Sequence, residues 1–150
     1  VKLFPVPRTG LYVELLLRDE HCPPHIHVEN EEVPWEARFS FCFVSNNVRL
    51  MDVDPMGNAP SRRVIDRIMG AITANLPLCR EAWWNNFHDC CLSNRWLRKD
   101  AKDVVTLLTK RERGAAQIHR AHFIPSSNIV RLSLRDGAAV EILCGTGETQ

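Results

Sequence analysis

Two consecutive prolines, Pro23 and Pro24, do most to limit what this chain can fold into. Each fixes φ and lacks a backbone N–H, so neither a helix nor an uninterrupted strand ladder passes through them. The prolines sit inside Asp19-Glu20-His21-Cys22-Pro23-Pro24-His25-Ile26-His27-Val28, which holds three of the six histidines. An apolar run over residues 11–17 precedes this stretch and an alternating pattern follows it. The simplest local structure is a tight corner between two strands. Beyond the corner, extended geometry places His25, His27 and Glu29 on one face and Ile26 and Val28 on the other.

The following segments extend the same architecture. Across residues 35–43 a period of two aligns Ala37, Phe39, Phe41 and Phe43 on one face. Ser45-Asn46-Asn47 suits a turn, and residues 48–53 read as a returning strand. The four segments predict an antiparallel meander with one apolar face. A helix is expected from Pro60–Ser61, its stripe formed by Ile65, Ile68, Met69, Ile72 and Leu76. Asn75 is placed to cap a second helix, with Pro77 in its first turn. A third helix is expected after Asp100, with Val104, Val105, Leu107 and Leu108 buried and Gly114 as the stop. Three strands are expected over residues 118–124, 128–134 and 138–143, with Asp136-Gly137 as a tight hairpin. The fold class is therefore α+β: a meander packed against helices, with a small C-terminal β-unit. The division expected is residues 1–97 and 98–150.

The motif His21-x-Pro23-Pro24-His25-x-His27 with the strand before it resembles the bacterial domain of unknown function 4160 family, over about residues 4–84. Residues 118–137 are similar to the start of a companion β-rich family, domain of unknown function 2442. The first family lends no established chemistry. The resemblance implies a bacterial setting in which such domains accompany each other, some in pairs that look like toxin–antitoxin modules.

At 150 residues the chain is long enough to bury a core, and its net charge of +1 argues against a dedicated nucleic-acid coat. No apolar run of membrane-spanning length occurs, and the start lacks a secretory leader, so a cytoplasmic protein without a membrane partner is expected. Six cysteines with no CxxC knuckle and no small-secreted spacing are expected to be reduced.

Imidazoles are good ligands for zinc or another divalent transition metal. His21, His25 and His27 are therefore the candidates both for a metal site and for catalysis. Asp19, Glu20 or Glu29 would orient them or act as base. The alternative without function is a set of polar residues on a solvent-facing strand. Paired histidines near Arg18 or Arg38 would also suit acid–base cleavage of a nucleic acid. The basic residues between Arg95 and Arg113 read as an ordinary solvated surface. Trp83 and Trp84 are adjacent in a helix and cannot both face one core, so one is expected to mark a protein-binding surface.

These features predict a small macromolecule-binding protein, a component of a toxin–antitoxin-like or mobile-element defence pair. The alternatives are a metal-dependent or histidine acid–base hydrolase acting on nucleic acid, and a phage or mobile-element inhibitor of a host defence complex.

Overall fold

The structure is a computed structural model of the chain, and it describes residues 1–18 and 21–150. The fold is mixed α+β and mostly β, with two helices and eleven strands among the described residues. The chain divides into two compact units. Unit 1 comprises Val1–Phe41 and Val48–Trp83; unit 2 comprises Cys42–Asn47 and Trp84–Gln150. The compact units change over at Trp83–Trp84, while the expected cut after residue 97 falls within the strand Trp96–Lys99.

Unit 1 is a five-stranded antiparallel meander, β1 (Lys2–Val6), β2 (Leu11–Glu14), β3 (His25–Asn30), β4 (Trp35–Ser40) and β5 (Arg49–Asp54), in that spatial order. The lead-in to the chain is itself a strand, tolerating Pro5 because β1 is at the sheet edge. Alternation sorts the faces: Val13, Val28, Ala37 and Val53 form one cross-strand row, and Glu14, His27, Arg38 and Asp52 another. Ser61 starts helix α1 (Arg62–Ala74) by accepting a hydrogen bond from the Val64 N–H, at 3.3 Å. Its buried stripe of Ile65, Ile68, Ala71 and Ile72 joins the sheet's Ile26, Val28 and Phe39 in the core of the unit.

Helix α2 (Leu76–Phe87) begins where expected, but not through an Asn75 side-chain cap. The Asn75 amide donates back to the Ala71 carbonyl at 2.8 Å, and its own carbonyl accepts from Leu78 and Cys79. The stretch 35–43 is also not one strand: β4 ends at Ser40, and Phe43 belongs to unit 2, 5.1 Å from the Phe123 ring.

Unit 2 is a six-stranded sheet in the order β10-β9-β8-β6-β7-β11. Its strands are β6 (Trp96–Lys99), β7 (Val105–Leu108), β8 (Ala116–Ile124), β9 (Ile129–Leu134), β10 (Ala139–Leu143) and β11 (Glu148–Thr149). Three of these match the expected tail strands, with the Asp136-Gly137 turn closed by a Leu134 N–H to Ala138 carbonyl bond. The expected third helix is instead the β6–β7 hairpin. Asp100 does cap, but it caps the turn, its carboxylate accepting from the N–H groups of Lys102 and Val104. The apolar pattern at 104, 105, 107 and 108 misleads because every residue of β7 is buried, so the strand loses its alternation.

The segment 42–47 completes unit 2. The Val44 carbonyl accepts from the N–H groups of Gly145 and Gly147, and the Ser45 hydroxyl bonds that of Thr149. Cys42, Cys79, Cys90 and Cys144 are not disulfide-bonded. Cys22 and Cys91 are in the disulfide state, against the expectation of six reduced thiols. The spacing of these two in sequence gives no hint of it. No helix among the described residues is long and apolar enough to cross a membrane.

Candidate functional site

The histidine corner lies in unit 1 and differs from a solvent-facing strand in one decisive respect. His25 and His27 are only 2% and 4% exposed, while Glu29, on the same face, is open to solvent. Their rings lie 5.2 Å apart, and the Trp83 indole from α2 stands 5.4 Å from His25. The exposed His21 ring lies 6.0 Å from His25.

Buried imidazoles need hydrogen-bond partners. His25 Nδ1 lies 2.8 Å from the Pro23 carbonyl oxygen and His27 Nδ1 lies 2.6 Å from a Glu36 carboxylate oxygen. A carbonyl and a carboxylate only accept, so both Nδ1 atoms carry protons. The Pro-Pro corner therefore supplies an acceptor that orients its own histidine.

Around this pair the face is strongly charged. Arg38, opposite His27 in the ladder, donates through Nε and Nη2 to both Asp52 oxygens, the Nε bond being 2.9 Å. These bonds hold the Asp52 carboxyl below its ordinary range, with the neighbouring histidines adding to the effect. Glu29 is pushed the other way, first by burial and then by the charges of Glu36 and Glu14.

The expected three-histidine metal set is not assembled in this geometry. Among the described residues, His21, His25 and His27 do not bring three ligand nitrogens within 4.8 Å of one another. Of the acids expected to support them, Glu29 projects beyond the pair, and Asp19 and Glu20 lie outside the described residues. The supporting carboxylate is Glu36, which sequence spacing did not single out because it reaches His27 across the ladder.

Neither tryptophan forms an exposed anchor. Trp83 is 1% exposed, with Phe41 and His25 beside it in unit 1; Trp84 is 9% exposed, with His122 and Phe123 beside it in unit 2. The premise that two adjacent indoles cannot share one core holds, but the chain has two compact units and buries one in each. Burial pushes the Cys79 thiol up to about 12 and raises Cys90 as well, which makes these two poor nucleophiles.

A surface that sequence reasoning missed runs along β5. A groove of about 770 Å³ is lined by all six residues from Val48 to Val53, with Met56, Ile65 and Met69 opposite. A strand seen face-on presents every second residue, so six in succession mean that the groove follows the open edge of the sheet. The ladder explains the rest. Arg38 pairs with Asp52 and Phe39 with Leu50, leaving Met51 as an extra, bulged residue. Leu50, Met51 and Met56 are 40%, 37% and 72% exposed. The only hint in the sequence is Leu50-Met51, two apolar residues in a row in a strand that otherwise holds Arg49, Asp52, Val53 and Asp54.

No protein-family model matches the chain, and it matches no curated protein and no solved structure.

Proposed function

We propose that unit 1 is a protein-binding module that takes an extended apolar segment of a partner along the open edge of β5. The observation that carries this reading is the groove lined by Val48 and the first five residues of the edge strand β5. An edge strand offers unpaired backbone donors and acceptors, and the adjoining apolar wall supplies pockets for side chains; strand addition uses this combination. Methionines adapt to varied side chains, which suits a recognition surface. Such a module fits the macromolecule-binding component of a toxin–antitoxin-like or mobile-element defence pair.

Peptides selected from a random display library on the intact protein should be rich in apolar residues. They should perturb the amide resonances of residues 48–53. Leu50→Asp or Met51→Asp places a charge in the groove and should weaken those peptides by roughly tenfold or more, with little change in melting temperature. Selected peptides that leave residues 48–53 unperturbed, or bind both variants as well as the parent, would place recognition elsewhere.

A second reading is favoured by the oriented imidazoles: an acid–base hydrolase in which His25 and His27 exchange protons through Nε2 and Arg38 steadies a phosphoryl group. Burial of both rings ranks it second, since a substrate must reach them. If it holds, a single-stranded RNA oligonucleotide should be cleaved, with rates falling about 100-fold or more in His27→Ala and less in Glu36→Gln. Cleavage by the His27→Ala protein at the parent rate would remove this reading.

A further inference from the structure

We propose that unit 1 also carries a binding site for a small organic oxyanion, a phosphate or carboxylate on an apolar body, held between Arg8 and Arg67. Two cavities adjoin the β1–β2 turn and α1, of about 430 Å³ and about 350 Å³, and the residues common to their linings are Arg8 and Arg67. No aspartate or glutamate lines either cavity. Among the described residues neither arginine is in an ion pair or side-chain hydrogen bond. Two arginines that line the same two cavities, with no carboxylate in either lining, offer an entering anion two guanidinium forks to accept from.

Both arginines stand on fixed backbone. Arg8 lies in the left-handed region, at φ 64°, in a turn tied by the Thr9 hydroxyl, which donates to the Val6 carbonyl at 2.8 Å and accepts from the Leu11 N–H at 3.0 Å. Arg67 projects from α1 beside the buried Ile68, which anchors the helix in the core. The larger cavity adds an apolar wall of Leu11, Val33, Trp35 and Val64. Val33 is half exposed and Trp35 nearly buried, so the wall is partly open to an entering ring. The volume lies in the range of small-molecule sites, and an apolar lining with a few convergent charges is their usual composition. Sequence reading gave no hint of this pairing, because Arg8 belongs to a turn and Arg67 to a helix surface far along the chain.

The test is an NMR titration of the full chain at about 150 mM salt, where loose surface attraction is screened. Phenyl phosphate, benzoate and phenol are the probes. Saturable shifts at residues 8–11 and at Val64 and Arg67 are expected for phenyl phosphate or benzoate, and the tighter of the two identifies the headgroup. Arg8→Gln and Arg67→Gln, each with an unchanged melting temperature, should weaken that probe by about tenfold, and phenol should bind more weakly by a similar factor. The proposal is overturned if the double variant binds as the parent does, if phenol binds as well as the anions, or if no probe saturates at concentrations on the order of 10 mM.

Discussion

Trp83→Ala is expected to destabilise unit 1 by roughly 3–5 kcal/mol, the range for truncating a buried tryptophan. At 1% exposure the indole is among the largest fully buried side chains of the chain, and its loss leaves a void beside His25 and Phe41. Trp84→Ala should fall near the lower end of that range and act in unit 2, where Trp84 meets His122 and Phe123. Amide hydrogen exchange separates the two. Protection should fall first in β3 and β4 for Trp83→Ala, and first in β8 and β9 for Trp84→Ala. Equal loss across both units in both variants would contradict the assignment of one indole to each core.

The second large effect concerns Gly147. A Cβ there would overlap the Val44 side chain and lie 2.8 Å from the Val105 carbonyl oxygen. The backbone is tied down by the Gly147 N–H to Val44 carbonyl bond at 2.9 Å, so it cannot retreat without losing that bond. Gly147→Ala is expected to cost about 1–3 kcal/mol, as overpacking does. It should be read as a fall in melting temperature against Gly57→Ala, whose added Cβ meets nothing within 4 Å. Adding Val44→Ala should recover only part of the loss, because the Val105 carbonyl remains. A Gly147→Ala protein as stable as its parent would mean that segment 42–47 is not packed as described.

The elements that sequence pattern reveals are those covered on one face. β4, α1 and β9 keep their period of two or 3.6 because only one face of each is buried. The β6–β7 hairpin fails that condition: Val105 to Leu108 are all buried, and an unbroken apolar run reads as helix or strand alike. The corner was legible as a corner, since two prolines impose it. Its burial was not, because the residue that stands against His25 is Trp83, from another element. Likewise Glu36 becomes a partner of His27 only through register, and Met51 reaches the groove only through a bulge. What escapes the sequence is contact between elements; the elements themselves are mostly visible.

The placement of residues 42–47 has a bearing on synthesis. All residues of unit 1 precede Trp84, so the emerging chain holds every residue of unit 1 while much of unit 2 is still untranslated. Unit 2 cannot be completed in that order. Its early contribution waits until Gly145, Gly147 and Thr149 arrive, and the Ser45–Thr149 bond spans 104 positions. Closing so long a loop carries an entropic cost that local pairing does not. The nascent protein therefore passes through a stage in which all residues of unit 1 have been made and residues 42–47, already made as well, wait for strands of unit 2 not yet translated. A break at the Trp83–Trp84 junction, within α2, would leave the second fragment short of its Val44 acceptor.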